Sequence, residues 1–221
     1  RQRQMCIRDS IDCVSDGEFS KRGFAVYVHE RLGGLTPSNR HRPAAWADSR
    51  EVLSFPEFYE PVVHPPSGPP TAHSVQMICT GPIVYKGKDQ LRRDLANLKA
   101  AVADSGATEA FVPAISPSDI AGNQVNEFYS TDEEFLYAIA DAMNVEYRAI
   151  IDAGFVLQIE DPYLVNYYIK NTELSIKQCR AWARGQVEAI NHSLAGIPEA
   201  QVRYHTCYGI NMGIFQLVCV F

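Results

Sequence analysis

The segment RYHTCYG, residues 203–209, sets His205 and Cys207 two positions apart near the end of a run with strand propensity. Alternate side chains of a strand share a face, so the imidazole and the thiol project together, about 6.6 Å apart along the chain. Such a pair could serve zinc, which takes nitrogen and thiolate donors in a tetrahedral set, with two further ligands supplied from elsewhere. The alternative is a hydrogen-bonded histidine beside a core cysteine. In a chain with six His and six Cys the tripeptide alone is a weak motif, and its context must decide. Two carboxylate pairs also stand out. SDGEF (15–19) sets Asp16 and Glu18 beside a glycine, as a clamp for the ammonium of an amino acid or as a surface Asp-Gly turn. QIEDP (158–162) ends an apolar run with Glu160 and Asp161 before a proline; Glu160 directly follows the run, and an exposed loop start is the other reading of Asp161.

These residues need strand ends to position them, and the chain supplies a regular alternation. IDCVSD (11–16), SVQMICTGP (74–82), EAFVPAISP (109–117), FVLQIEDP (155–162) and QVRYHTC (201–207) read as strands. Between them, 88–106 carries Leu91, Leu95, Leu98 and Val102 at helical spacing. The segment 130–154 opens on Thr131 with Glu134 three residues later, a capping box, and 174–194 is a third helix. The Pro-rich stretch 56–70 reads as a long loop, either a lid or mobile linker or a disordered segment. Strand and helix in alternation predict right-handed βαβ units and a parallel sheet. No glycine-rich phosphate loop follows any strand, which disfavours a nucleotide-binding open sheet. The polar clusters recur at the carboxyl ends of strands, where (β/α)₈ barrels collect their chemistry.

Bulk properties narrow the function classes. With 221 residues, 46% hydrophobic and 21% charged, the chain can bury one sizeable core. The net charge of -6 comes without any Lys/Arg block of the kind that tracks a phosphate backbone, so nucleic acid is not an expected partner. No apolar run approaches the ~18 residues of a membrane span. Six irregularly spaced cysteines predict reduced thiols and a cytoplasmic setting. The opening RQRQMCIRDS resembles translated adapter read-through, so residues 1–10 are set aside; 213–221 reads as a truncated or aberrant end to a domain spanning 11–212.

With SDGEF, TGPIVY, VPAISP, EYRAIIDAGFVLQIEDP and HTCYGINMG in this order, the chain resembles the cobalamin-independent methionine synthase superfamily, above all its shorter single-barrel members. Relatives of that superfamily include epoxyalkane:coenzyme M transferase and uroporphyrinogen decarboxylase. The resemblance implies an α/β fold, here a partial (β/α)₈ barrel with about strands 2 to 6 present and the first and last two missing. It also implies zinc as cofactor, held in part by His205 and Cys207, with the remaining ligands outside this chain. Glu18 matches the acidic residue that holds the amino group of homocysteine. Glu160 stands where relatives carry an aspartate with the same duty, a substitution that moves the carboxylate out by about 1.5 Å. Asp16 lies beside this clamp, and Asp161 could orient the metal ligands or the leaving group. The implied reaction is transfer of a methyl or other alkyl group from a methylfolate-like donor to a homocysteine-like thiol. Because the ligand set is incomplete, the chain as written is expected to be a fragment with little or no activity. Two rival expectations are a metal-free decarboxylase or lyase, with Asp16 and Asp161 acting on a bound acid, and a non-catalytic barrel that binds folate or an amino acid.

Overall fold

Four parallel strands form the sheet that carries the polar clusters, and the chain winds helices between them. In a computed structural model, the residues described are 12–21, 23–38, 48–63, 76–103 and 105–206. Cys207, residues 1–10, residues 64–70 of the Pro-rich stretch and residues 213–221 lie outside them. In chain order the elements are β1 (Cys13–Val14), α1 (Phe24–Arg31), β2 (Leu32–Pro37), α2 (Arg50–Ser54), α3 (Pro56–Val63), β3 (Met77–Tyr85), α4 (Lys88–Ala103), β4 (Glu109–Ile115), α5 (Pro117–Asn123), β5 (Val125–Asn126), α6 (Asp132–Asp152), β6 (Val156–Glu160), α7 (Pro162–Lys170), α8 (Ile176–Ser193) and β7 (Val202–His205). The parallel sheet runs β1-β4-β6-β7. Its register sets Cys13 against Glu109, Ile115 against Glu160 and Glu160 against His205.

The expected βαβ alternation is present, and helix α6 is its centre. Phe135, Ile139, Met143, Tyr147 and Ile150 form one buried stripe at helical spacing. They share a core with Val112, Ala114, Leu157 and Ile159 from the sheet. The Tyr147 hydroxyl is buried with them and donates to the Ile115 carbonyl at 2.6 Å, which satisfies it and ties helix to strand. Burial pushes the Tyr147 hydroxyl well above its usual range, helped by the Glu146 and Asp161 carboxylates. At the start of α6, Thr131 Oγ1 accepts from the Glu134 amide at 3.1 Å. The Glu134 carboxylate reaches back to the Ser130 amide at 3.0 Å, one residue before the cap, and three acidic residues fill the first turn.

Two features depart from the sequence reading. The strand expected over 74–82 does not join the parallel sheet or stop at Gly81-Pro82. It runs on to Tyr85 and pairs antiparallel with β2, and in parallel with β5, in a second sheet ordered β2-β3-β5. The proline is tolerated because the register shifts between Gly33 and Leu35, so the ladder is already irregular opposite it. Gly34, at φ +86°, fills that bulge; a Cβ there would lie 2.5 Å from the Pro82 carbonyl oxygen. The second departure is helix α3, which occupies the first part of the stretch expected to be a loop. Pro56 takes the first helical position, where a missing N–H costs nothing. Short helices α5 and α7 also follow β4 and β6 directly, each opened by a cap residue and a proline: Ser116-Pro117 and Asp161-Pro162.

Candidate functional site

Strands β6 and β7 bring Glu160, Asp161 and His205 together at their carboxyl ends. Leu157 and Ile159 are buried in the core, so the alternation of β6 turns Gln158 and Glu160 to the opposite face. The parallel register sets Arg203 beside Gln158 and His205 beside Glu160 on that same face. A hydrogen-bonded chain links all four. Arg203 Nε donates to Gln158 Oε1 at 2.6 Å, Gln158 Nε2 donates to Glu160 Oε1, and Glu160 Oε2 accepts from His205 Nδ1. The Arg203 guanidinium lies 3.6 Å over the Phe111 ring, and its Nη1 is 3.6 Å from Cys13 Sγ. Glu160 is only 4% exposed, whereas half of the His205 side chain is open to solvent. With Nδ1 engaged by a carboxylate, the imidazole presents Nε2 outward with its ring orientation set.

Asp161 lies on the other side of the same strand ends and is fully buried. Its Oδ2 accepts from Ser118 Oγ at 2.6 Å and from the Tyr204 hydroxyl at 2.8 Å, while Oδ1 accepts from the Leu164 amide at 3.2 Å and so caps α7. Ser116 Oγ lies 2.9 Å from Ser118 Oγ and caps α5 through the Asp119 amide. Burial raises the Tyr204 hydroxyl far above its ordinary range, and the Asp161 charge adds to the shift, so Tyr204 remains a donor. The Asp161 amide donates to the His205 carbonyl at 2.9 Å, extending the pairing of β6 and β7 by one residue. Asp161 thus sits not at an exposed loop start but at the junction of two helix starts and two strands.

The other two carboxylates lie in the turn that follows β1, two strands along the sheet from β6. Asp16 follows Val14, whose partner Ala110 faces the core, and it shares a small enclosed space with Arg31, Asp94, Val112 and Glu146 on the helix side of the sheet. It accepts from Ser20 Oγ and from the Glu18 amide at 2.9 Å. Burial pushes its carboxyl up, but these hydrogen bonds and the Lys21 charge outweigh burial and hold it below the usual carboxylate value. Glu18 is exposed at φ +62°, in the left-handed region that few non-glycine residues adopt. Beside Asp16, Glu146 is 1% exposed and accepts from the Tyr27 hydroxyl and, at 2.7 Å, from the Tyr85 hydroxyl; Arg31 pairs with Asp94 at 2.5 Å.

Among the described residues no group of three His, Cys, Asp or Glu side chains could hold a metal, and Cys207 lies outside them. The described cysteines Cys13, Cys79 and Cys179 are free thiols. No helix among the described residues is long and apolar enough to cross a membrane. The sequence reading missed Arg203, Ser118 and Tyr204. Counting back by two from His205 along its strand would have found Arg203, and the Ser-Pro-Ser run at 116–118 marks a capped helix start.

A parallel α/β sheet with polar side chains gathered at the carboxyl ends of its strands is the arrangement of barrel enzymes. No family model matches the chain. In sequence it is similar to the methionine synthase of Thermococcus kodakarensis, 32% identical over 98 residues, which are 44% of this chain and 25% of that one. It is also similar to the methionine synthase of Saccharolobus solfataricus, 30% identical over 94 residues, 42% of this chain and 24% of that one. The matched stretch spans about a quarter of these curated relatives. In fold it is similar to the B12-independent methionine synthase from Shewanella sp. W3-18-1 in complex with selenomethionine, with a TM-score of 0.59 at 15% identity, over 96% of this chain and 50% of that one. These partial similarities, in sequence and in fold, support the kinship with the cobalamin-independent methionine synthase superfamily that the motifs led us to expect.

Proposed function

We propose that this chain is one arc of a (β/α)₈ barrel that alkylates a thiol, most simply by methyl transfer from a methylfolate-like donor to a homocysteine-like acceptor. The single observation that carries the reading is the His205–Glu160 pair at adjacent strand ends, in a chain related to methionine synthases. A histidine whose Nδ1 is held by a buried carboxylate is the usual form of a metal-ligating imidazole, because the partner fixes the tautomer and frees Nε2. The described donors fit zinc in part, and His205 with Cys207 would hold it. Zinc bound there would deprotonate the acceptor thiol, whose free pKa is about 8.5.

Around that centre the chain's own residues have separate duties. Glu160 orients His205, and its remaining lone pairs are available to the amino end of the acceptor. Glu18 is the second carboxylate for that amino group; its exposed position leaves it open to substrate. Asp16, turned to the helix side, supports the SDGEF turn. Asp161 is a positioning residue, since both its oxygens serve Ser118, Tyr204 and the start of α7. The irregular spacing of the six cysteines supports a reducing, cytoplasmic setting for the protein. The test is an alkyl-transfer assay on the full-length protein with homocysteine and methylfolate, comparing wild type with Glu160→Gln and Cys207→Ala. Loss of transfer in both variants supports the reading, and unchanged transfer in Cys207→Ala overturns it.

A further inference from the structure

Away from the sheet ends, a cavity of about 630 Å³ opens between the end of α5, the start of α6 and the facing sides of α7 and α8. Its volume is that of a small-molecule site. Three rings form one corner. Tyr167 and Trp182 stack at 3.5 Å with an interplanar angle of 4°, and Tyr163 meets them edge-on at 6.2 and 5.8 Å. Asp132, Glu133 and Glu188 bring three carboxylates to the lining, which among the described residues holds no Lys, Arg or His. Lys170 lies 5.3 Å from the Tyr163 ring centre but is not part of the lining.

The glycines point the same way. Gly122 lets Tyr163 lie against α5, since a Cβ there would come within 2.2 Å of the ring. Gly185 sits inside α8, where glycine is the poorest helix former after proline. No turn or close contact requires it, because a Cβ at that position would meet nothing within 4 Å. Gly185 lines the cavity, so a longer side chain there has open space to enter. Aromatic faces and carboxylates together select a cation with an organic body: the rings attract it electrostatically, and the acids balance its charge and accept its hydrogen bonds.

We propose that this cavity is a binding site for a small organic cation, separate from the strand-end site. The test uses Trp182 fluorescence in the chain itself, with choline and agmatine as probes and 3,3-dimethylbutan-1-ol as the uncharged counterpart of choline. The expected result is a saturable change with at least one cation, absent in Trp182→Phe. The neutral alcohol should bind about tenfold more weakly than choline if choline is the cation that binds. Glu188→Gln should weaken binding about threefold. Gly185→Leu, which fills open space on a helix, should keep the thermal midpoint and abolish binding. No saturation with either cation, equal binding of the alcohol and choline, or undiminished binding in Gly185→Leu would overturn the proposal.

Discussion

Replacing Asp161 by alanine separates a positioning role from an exposed loop residue. The substitution deletes three hydrogen bonds at a fully buried site: the cap on α7 and the bonds from Ser118 and Tyr204. A lost cap costs about 1 kcal/mol. A hydrogen bond to a charged group is worth about 1.5–3 kcal/mol, so the two hydroxyl donors add roughly 3–6 kcal/mol. Part of this is offset because the buried carboxylate, itself costly to desolvate, is gone. The net expectation is about 3–5 kcal/mol, a fall in Tm of about 10 °C for a chain of this length. Asp161→Asn keeps the Oδ1 cap and an isosteric shape, and should lose about half as much. Urea unfolding followed by far-UV circular dichroism reads both variants, with an unchanged slope showing that stability rather than the denatured state has moved. A loss below about 1 kcal/mol in Asp161→Ala would refute the reasoning, because it would mean that the three bonds do not hold the strand ends.

Glu146→Ala removes the acceptor shared by Tyr27 and Tyr85 beside the buried Arg31, and should destabilise by about 3–5 kcal/mol, with a coupling of 1 kcal/mol or more to Tyr85→Phe in a double-mutant cycle. Gly34→Ala places a Cβ 2.5 Å from the Pro82 oxygen at φ +86°, and should cost about 2 kcal/mol or more in urea titrations, whereas a loss within 0.5 kcal/mol would contradict the bulge. Because the folded pKa of Asp16 lies below its unfolded value, its contribution is present above the unfolded value near 4 and is lost as pH falls through the folded one. Asp16→Asn should therefore flatten the acid limb of the stability–pH curve below about pH 4 and leave the neutral region parallel; an unaltered acid limb would contradict it.

The sequence made the parallel sheet legible because period-2 and period-3.6 patterns alternate cleanly from Glu109 onward, and the stripe of Phe135, Ile139, Met143, Tyr147 and Ile150 needs no tertiary information to read. The pairing of β3 was not legible. Whether an apolar run joins a parallel sheet or folds back on a neighbour depends on β2, whose LGGLTP offers little strand propensity and gains its conformation from the bulge at Gly34. Helices α5 and α7 are announced by Ser116-Pro117 and Asp161-Pro162, but the sequence reading ran the strands through those prolines and placed no helix after them. At the site, the residue types at Glu160 and His205 were visible, and their contact was a matter of register between strands 45 residues apart. Asp16 and Glu18 show the limit of motif reading: two carboxylates two positions apart fall on different sides of a tight turn, one held among helices and one exposed.

The central claim is that His205, held by Glu160, is a zinc ligand together with Cys207. The most direct test measures zinc stoichiometry and affinity by chelator competition on purified full-length protein, alongside His205→Ala, Cys207→Ala and Glu160→Gln. We predict stoichiometric zinc in the wild type, its loss in the first two variants, and affinity weakened by about 10–100-fold in Glu160→Gln. Zinc retained at full affinity without His205 and Cys207, or absent from the wild type, would contradict the account.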